Sequence, residues 1–125
     1  MNELNKVQPT LLSAKSRIWL ECNGEVIFGG GRLALLEAIE ETGSILQATG
    51  KLGLSYRGAW GKINATEERL GFKLLDRQTG GKNSGATLTP EGKQMLEAYR
   101  LFHQDCTQAI DNLFMTHFKE FLNTK

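Results

Sequence analysis

The sequence is poor in the residues that carry most covalent and metal chemistry. Its two cysteines, Cys22 and Cys106, stand far apart. That excludes a disulfide framework and, with no CxxC pair or histidine cluster, a zinc site. Both are expected to be buried thiols, since free cysteine behaves as a small hydrophobe. His103 and His117 are too distant on one predicted helix to share an ion. No nucleophile–base pair and no carboxylate pair with a plausible pocket can be found, so no catalytic residue, metal or cofactor is assigned. No apolar run approaches the roughly 18–20 residues that span a bilayer, and the N-terminus lacks a basic-then-apolar signal pattern. The expectation is a soluble cytoplasmic chain with no membrane partner, its 125 residues fitting one domain.

Charge is almost balanced overall, at +1, but unevenly placed. Between Lys51 and Lys82 there are 7 basic and 3 acidic residues, a surplus of 4, while the remainder carries 8 basic and 11 acidic. A basic segment inside an otherwise acidic chain is the electrostatic footprint of a face that meets phosphate.

Local patterns give an element order. Residues 1–14 show no sustained period and are read as a mobile N-terminal arm. Lys15 to Cys22 is rich in strand formers, Asn23-Gly24 signals a two-residue hairpin, and Glu25 to Phe28 returns. Gly29-Gly30-Gly31 breaks the strand; it lacks the residues of a P-loop and the spacing of a dinucleotide fingerprint, and is read as a turn into a helix. Arg32 to Thr42 is that helix, stopped at Gly43. Ser44 caps a second helix, Ile45 to Leu52, and Ser55 a third running to about Leu70. Two short helices joined across Gly53 have the form of a helix-turn-helix. Phe72 to Arg77 and Ala86 to Leu88 then form a hairpin, the wing, around a glycine-rich loop. Thr89-Pro90-Glu91 opens a last helix that no further Gly or Pro interrupts after Gly92, so it runs to about Leu122. The fold class is mainly α with small β hairpins: a winged helix-turn-helix (residues 15–89) followed by a long C-terminal helix (90–125).

A helix that enters the major groove needs a packed inner face and a polar outer face. On the third helix Ala59, Ile63, Ala65 and Leu70 can hold the core, leaving Ser55, Tyr56, Arg57, Trp60, Lys62 and Asn64 to meet DNA. Arg suits guanine, Asn adenine, and Ser, Tyr and Lys phosphate. Trp60 has a competing role, packing against the wing or the first helix. Gly58 and Gly61 each cost roughly 1 kcal/mol relative to Ala inside a helix, which suggests close approach by the second helix or by DNA. In the wing, Arg77, Thr79, Gly80, Gly81, Lys82 and Asn83 form a cationic loop suited to the minor groove or flanking phosphates.

On the last helix Met95, Tyr99, Phe102, Cys106, Ala109 and Leu113 make a stripe at three-four spacing, extended by Phe114, Phe118 and Phe121. This is more apolar surface than a small head covers, and a self-complementary seam between two copies buries it.

The run from Gly43 to Leu96 resembles the N-terminal DNA-binding domain of the ModE family of molybdate-responsive regulators, whose head is related to the LysR type. The resemblance rests on Gly43-Ser44-Ile45, Gln47, Ser55-Tyr56-Arg57, Ala59-Trp60, Ile63-Asn64, Thr79-Gly80-Gly81-Lys82, Gly85 and Leu88-Thr89, and covers roughly residues 16–122. It implies a transcriptional regulator that binds a palindromic operator as a homodimer held largely by helices one and four. It adds Ser44 and Gln47 to the DNA-binding candidates. The dimerisation set is Leu36, Tyr99, Phe102, Cys106, Ile110, Leu113, Phe114 and Phe118. Full-length members carry C-terminal molybdate-binding barrels; this chain ends after its last helix, so molybdate binding is not expected of it. Two alternatives stay open: a winged helix that docks a protein through its aromatic helix, and an oxyanion sensor built on the glycine-rich loops.

Overall fold

In the computed structural model, which describes residues 11–78 and 85–122, the expected elements follow one another in order. They are β1 (Leu20–Cys22), β2 (Glu25–Phe28), α1 (Gly30–Thr42), α2 (Ile45–Leu52), α3 (Tyr56–Leu70), β3 (Leu75–Gln78), β4 (Gly85–Leu88) and α4 (Pro90–Leu122). The first ten residues of the expected arm, and Thr79, Gly80, Gly81, Lys82 and Asn83 of the wing loop, lie outside the described residues. The chain forms two units, a head from Ile18 to Leu101 and a second unit drawn from residues up to Arg17 and from Phe102 onward. The head therefore reaches beyond Thr89 into α4, because Leu96 and Tyr99 are core residues of it, each 2% exposed.

Both hairpins are antiparallel. β1 meets β2 across Asn23-Gly24, both in the left-handed region that such two-residue turns require. β1 is shorter than the strand expected from Lys15. In the second hairpin Leu75 faces Leu88 and Gln78 faces Gly85. β3 begins at Leu75 rather than Phe72, since the Leu74 N–H is turned to a side chain of α3 and the Leu74 carbonyl accepts from Thr89 N–H at 2.9 Å. α1 starts two residues before Arg32, with the Leu33 N–H donating to the Gly29 carbonyl.

The head's core draws on nearly every element: Phe28 from β2, Leu35, Leu36 and Ile39 from α1, Ala48 from α2, Ala59 and Ile63 from α3, Leu88 from β4, and Leu96 and Tyr99 from α4. Each large buried side chain contributes about 1.5–3 kcal/mol. Phe28 and Tyr99 pack with ring centroids 4.8 Å apart, and the Tyr99 hydroxyl donates to the Ile18 carbonyl at 2.6 Å. Leu36 and Tyr99, expected at a seam between two copies, instead fill the interior of their own head, where no second copy can reach them.

α4 is attached through a close approach. The Thr89 hydroxyl donates to the Lys73 carbonyl (2.7 Å) and accepts the Gly92 N–H (2.9 Å), so the expected cap also ties the helix to the start of the wing. A Cβ at Gly92 would lie 2.3 Å from the Leu74 carbonyl oxygen. At Gly61 on α3, by contrast, a Cβ meets no atom within 4 Å. Gly92→Ala is therefore expected to destabilise the chain by about 1–3 kcal/mol in urea unfolding. Gly61→Ala should stabilise it by up to about 1 kcal/mol. Equal effects of the two substitutions would contradict this packing.

Candidate nucleic-acid interface

Local chemistry fixes where α3 begins. α2 ends in a left-handed Gly53 (φ 68°), with the Leu54 N–H on the Thr49 carbonyl and the Gly53 N–H on the Gly50 carbonyl. This glycine-terminated cap turns the chain within two residues into Ser55, whose hydroxyl accepts the Gly58 N–H at 3.1 Å. Ser44 does the same for α2, accepting the Gln47 N–H at 3.1 Å. Each such cap contributes about 1 kcal/mol.

The inner face of α3 carries Ala59, Ile63, Thr66 and Glu67. The last two are not marked as core by residue type, being polar, though they lie three and four residues beyond Ile63 and so on its face. Thr66, wholly buried, donates to the Ile27 carbonyl and accepts from Arg32 Nε, both at 2.8 Å. Glu67, 6% exposed, accepts the backbone N–H groups of Leu74 (2.8 Å) and Leu75 (3.2 Å) with one carboxylate oxygen. Its other oxygen lies 3.7 Å from Lys73 Nζ. Arg69 donates to the Val26 carbonyl at 2.8 Å. Arg32 belongs to this network: burial, and then the charge of Arg69, pull its pKa below the ordinary guanidinium value. Ala65, expected in the core, is only half-buried.

The outer arc presents Ser55, Tyr56, Arg57, Gly58, Gly61, Lys62 and Asn64, all exposed. Arg57, Gly61 and Asn64 recur at three-four spacing on one side, whereas Lys62 lies well round the helix from Arg57. Among the described residues no ion pair or hydrogen bond engages the side chain of either Arg57 or Lys62. Lys51, on α2, is paired with Glu41 at 2.6 Å. Open space at Gly61, and only the Ser55 side chain near Gly58, mean that the second helix is not what calls for these glycines. Trp60 is half-buried against the core and lies under Arg77 of β3, which also reaches Asn64. Gln47 is exposed on α2. In the second unit Phe102, Leu113 and Phe118 are exposed, while Cys106, Ile110 and Phe114 are half-buried. Among the described residues no group of three or more His, Cys, Asp or Glu could hold a metal, and no helix is long and apolar enough to cross a membrane.

This geometry is a pair of capped helices meeting in a tight turn, followed by a hairpin, with the second helix presenting a cationic outer face. The family profile described as "Bacterial regulatory helix-turn-helix protein, lysR family" matches residues 31–93, half of the chain. The chain belongs to this lysR family.

Curated relatives agree with the motif resemblance to ModE. The chain is 43% identical over 72 residues to the molybdenum-pterin-binding protein MopB of Rhodobacter capsulatus, covering 57% of this chain and 27% of that protein. It is 40% identical over 83 residues to the transcriptional regulator ModE of Yersinia pestis, covering 66% and 32% respectively. The match to the DNA-binding transcriptional dual regulator ModE of Escherichia coli is 39% over 83 residues, with the same coverage of 66% and 32%. The matched part is thus about a third or less of each relative's length. Among solved structures the CbnR_DBD–DNA complex superposes with a TM-score of 0.55 at 24% identity, over 70% of this chain and 95% of that one. ArgP from Mycobacterium tuberculosis gives 0.51 at 23%, over 67% and 30%. At such identities the likeness establishes the fold alone.

Because the Glu67 carboxylate satisfies two buried N–H groups at the entry to the lysR-type wing, Glu67→Ala is expected to destabilise the chain by roughly 2–3 kcal/mol. Hydrogen exchange should locate the loss at Leu74 and Leu75. Unchanged stability in denaturant titration would contradict the assignment.

Proposed function

We propose that this chain is the DNA-binding head of a dimeric, cytoplasmic transcriptional regulator, with the outer arc of α3 in the major groove. The observation that carries the reading is the pair of unneutralised cations, Arg57 in the first turn of α3 and Lys62 further along, on a helix whose inner face is fully engaged. Neither has an intramolecular partner among the described residues to give up, so each can gain from counterion release when it meets phosphate. Arg57 stands where a recognition helix reaches base edges, and its planar fork matches guanine O6 and N7. Tyr56 and Lys62 suit phosphate, and Ser44 and Gln47 at the start of α2 suit the backbone on the opposite wall of the groove.

The homodimer is supported by the second unit. Its α4 residues carry a row of aromatics, Phe114 stacked on Phe118 (5.1 Å between centroids) and Phe118 tilted against Phe121 (5.8 Å). Leu113 is 57% exposed and Phe121 59%. A seam with a second copy covers this surface and sets two heads on two half-sites of a palindrome.

A mobility-shift titration over a salt series tests the reading. The native chain is expected to shift a selected duplex, with log K falling linearly against log salt. Arg57→Ala with Lys62→Ala should weaken binding, reduce that slope by roughly 0.9 for the phosphate contact of Lys62, and lower selectivity through the lost base contact of Arg57. No sequence-selective shift by the folded native chain would overturn the reading. Phe118→Asp should convert the dimer to a monomer in sedimentation velocity and abolish binding to the paired site; a dimer that survives would contradict the seam.

A further inference from the structure

Arg77 sits on β3, the strand that leads into the wing. It does not extend freely from the hairpin. Its guanidinium carbon lies 3.1 Å from the centre of the Trp60 ring, and Nη2 donates to Asn64 Oδ1 at 3.3 Å. Trp60 is in turn stacked with Tyr56, the centroids 6.3 Å apart and the planes at 25°. One cluster thus links the first turns of α3 to the strand that carries the wing.

The arrangement limits what each group can do. Tryptophan is the strongest aromatic partner for a cation, and here its ring covers one face of the guanidinium. What remains is the in-plane edge with its other N–H donors. Such an edge matches the geometry of a phosphate, which arginine binds through parallel N–H···O bonds. It does not suit insertion into the minor groove, which needs an extended side chain. Asn64 is constrained as well. Reading adenine takes both the oxygen and the nitrogen of its amide in one plane with the base, and the bond from Arg77 turns that oxygen toward the wing strand.

We propose that Trp60 and Asn64 are positioning residues that hold Arg77 as a preset phosphate clamp at the junction of α3 and the wing, and that Asn64 serves this clamp instead of reading a base. The proposal rests on the DNA-binding reading above and deepens it: Arg77 supplies affinity for any duplex, and selectivity is left to the N-terminal part of α3.

The test compares the native and variant chains by fluorescence anisotropy on two duplexes, one recovered by selection with the native chain and one of mixed sequence, over a salt series. Arg77→Gln is expected to weaken binding to both duplexes alike, by about tenfold, and to lower the salt slope by about 0.9. Trp60→Leu should cost about as much, Trp60→Phe should restore most of the affinity, and adding Trp60→Leu to Arg77→Gln should cost nothing more. Asn64→Ala should weaken both duplexes in equal proportion. Additive losses of Trp60→Leu and Arg77→Gln, an unchanged salt slope in Arg77→Gln, or a loss in Asn64→Ala confined to the selected duplex would each overturn the clamp. Should Trp60→Leu fail to fold, Arg77→Gln and Asn64→Ala decide the matter alone. A native chain that binds neither duplex overturns the DNA reading and the clamp with it, whereas native binding with any of the contrary variant results overturns the clamp only.

Discussion

Four backbone groups near the ends of the two hairpins have no partner within their own strands: the carbonyls of Val26 and Ile27, and the N–H groups of Leu74 and Leu75. All four are answered by side chains from about one turn of α3: Arg69, Thr66 and Glu67. The bonds to Ile27, Leu74 and Leu75 are buried, where an unanswered group costs about 1–3 kcal/mol, so these three contacts weigh as much as a buried leucine; the Arg69 bond to Val26 is exposed and contributes less. They are also directional, which leucine packing is not. They set the rotation of α3 about its own axis, and with it which residues are turned outward. Every assignment on the outer arc depends on that rotation.

The remaining energetics of α3 are nearly level. The Ser55 cap adds about 1 kcal/mol, and Gly58 and Gly61 subtract about 1 kcal/mol each. A helix of 15 residues with this composition would not persist alone in water. It exists because Ala59, Ile63, Thr66 and Glu67 are packed inside the head. The outer face is therefore free to be chosen for binding, including two glycines that nothing in the free protein requires. The wing is held from the same helix twice, by Glu67 at the entry to β3 and by the Trp60–Asn64–Arg77 cluster further along the strand.

Punctuation was the most legible feature of the sequence. Gly43 and Gly53, the serines ahead of α2 and α3, and Thr89-Pro90 place these helix ends within a residue or two, because capping depends on local chemistry alone. What stayed hidden were contacts between distant segments. Thr66 and Glu67 look like solvated residues until their partners, remote strands or a following turn, are in place. β3 starts late because Leu74 is recruited by Glu67. Leu36 and Tyr99 look suited to an interface by residue type, and only the assembled core shows that they are spent on the head itself. In the outer arc the residue types of Arg57 and Lys62 were readable, but the engagement of Asn64 by Arg77 was not, since it joins positions on two elements.

The central claim is that the outer arc of α3 is the surface that meets DNA. Amide chemical-shift mapping of the native chain titrated with a selected duplex addresses it most directly. The account predicts that perturbed amides cluster at Ser44 to Gln47, Ser55 to Asn64 and Arg77, with the amides of Thr66 and Glu67 shifting little. Perturbation concentrated instead between Phe102 and Leu122, with the α3 amides unmoved, would contradict it.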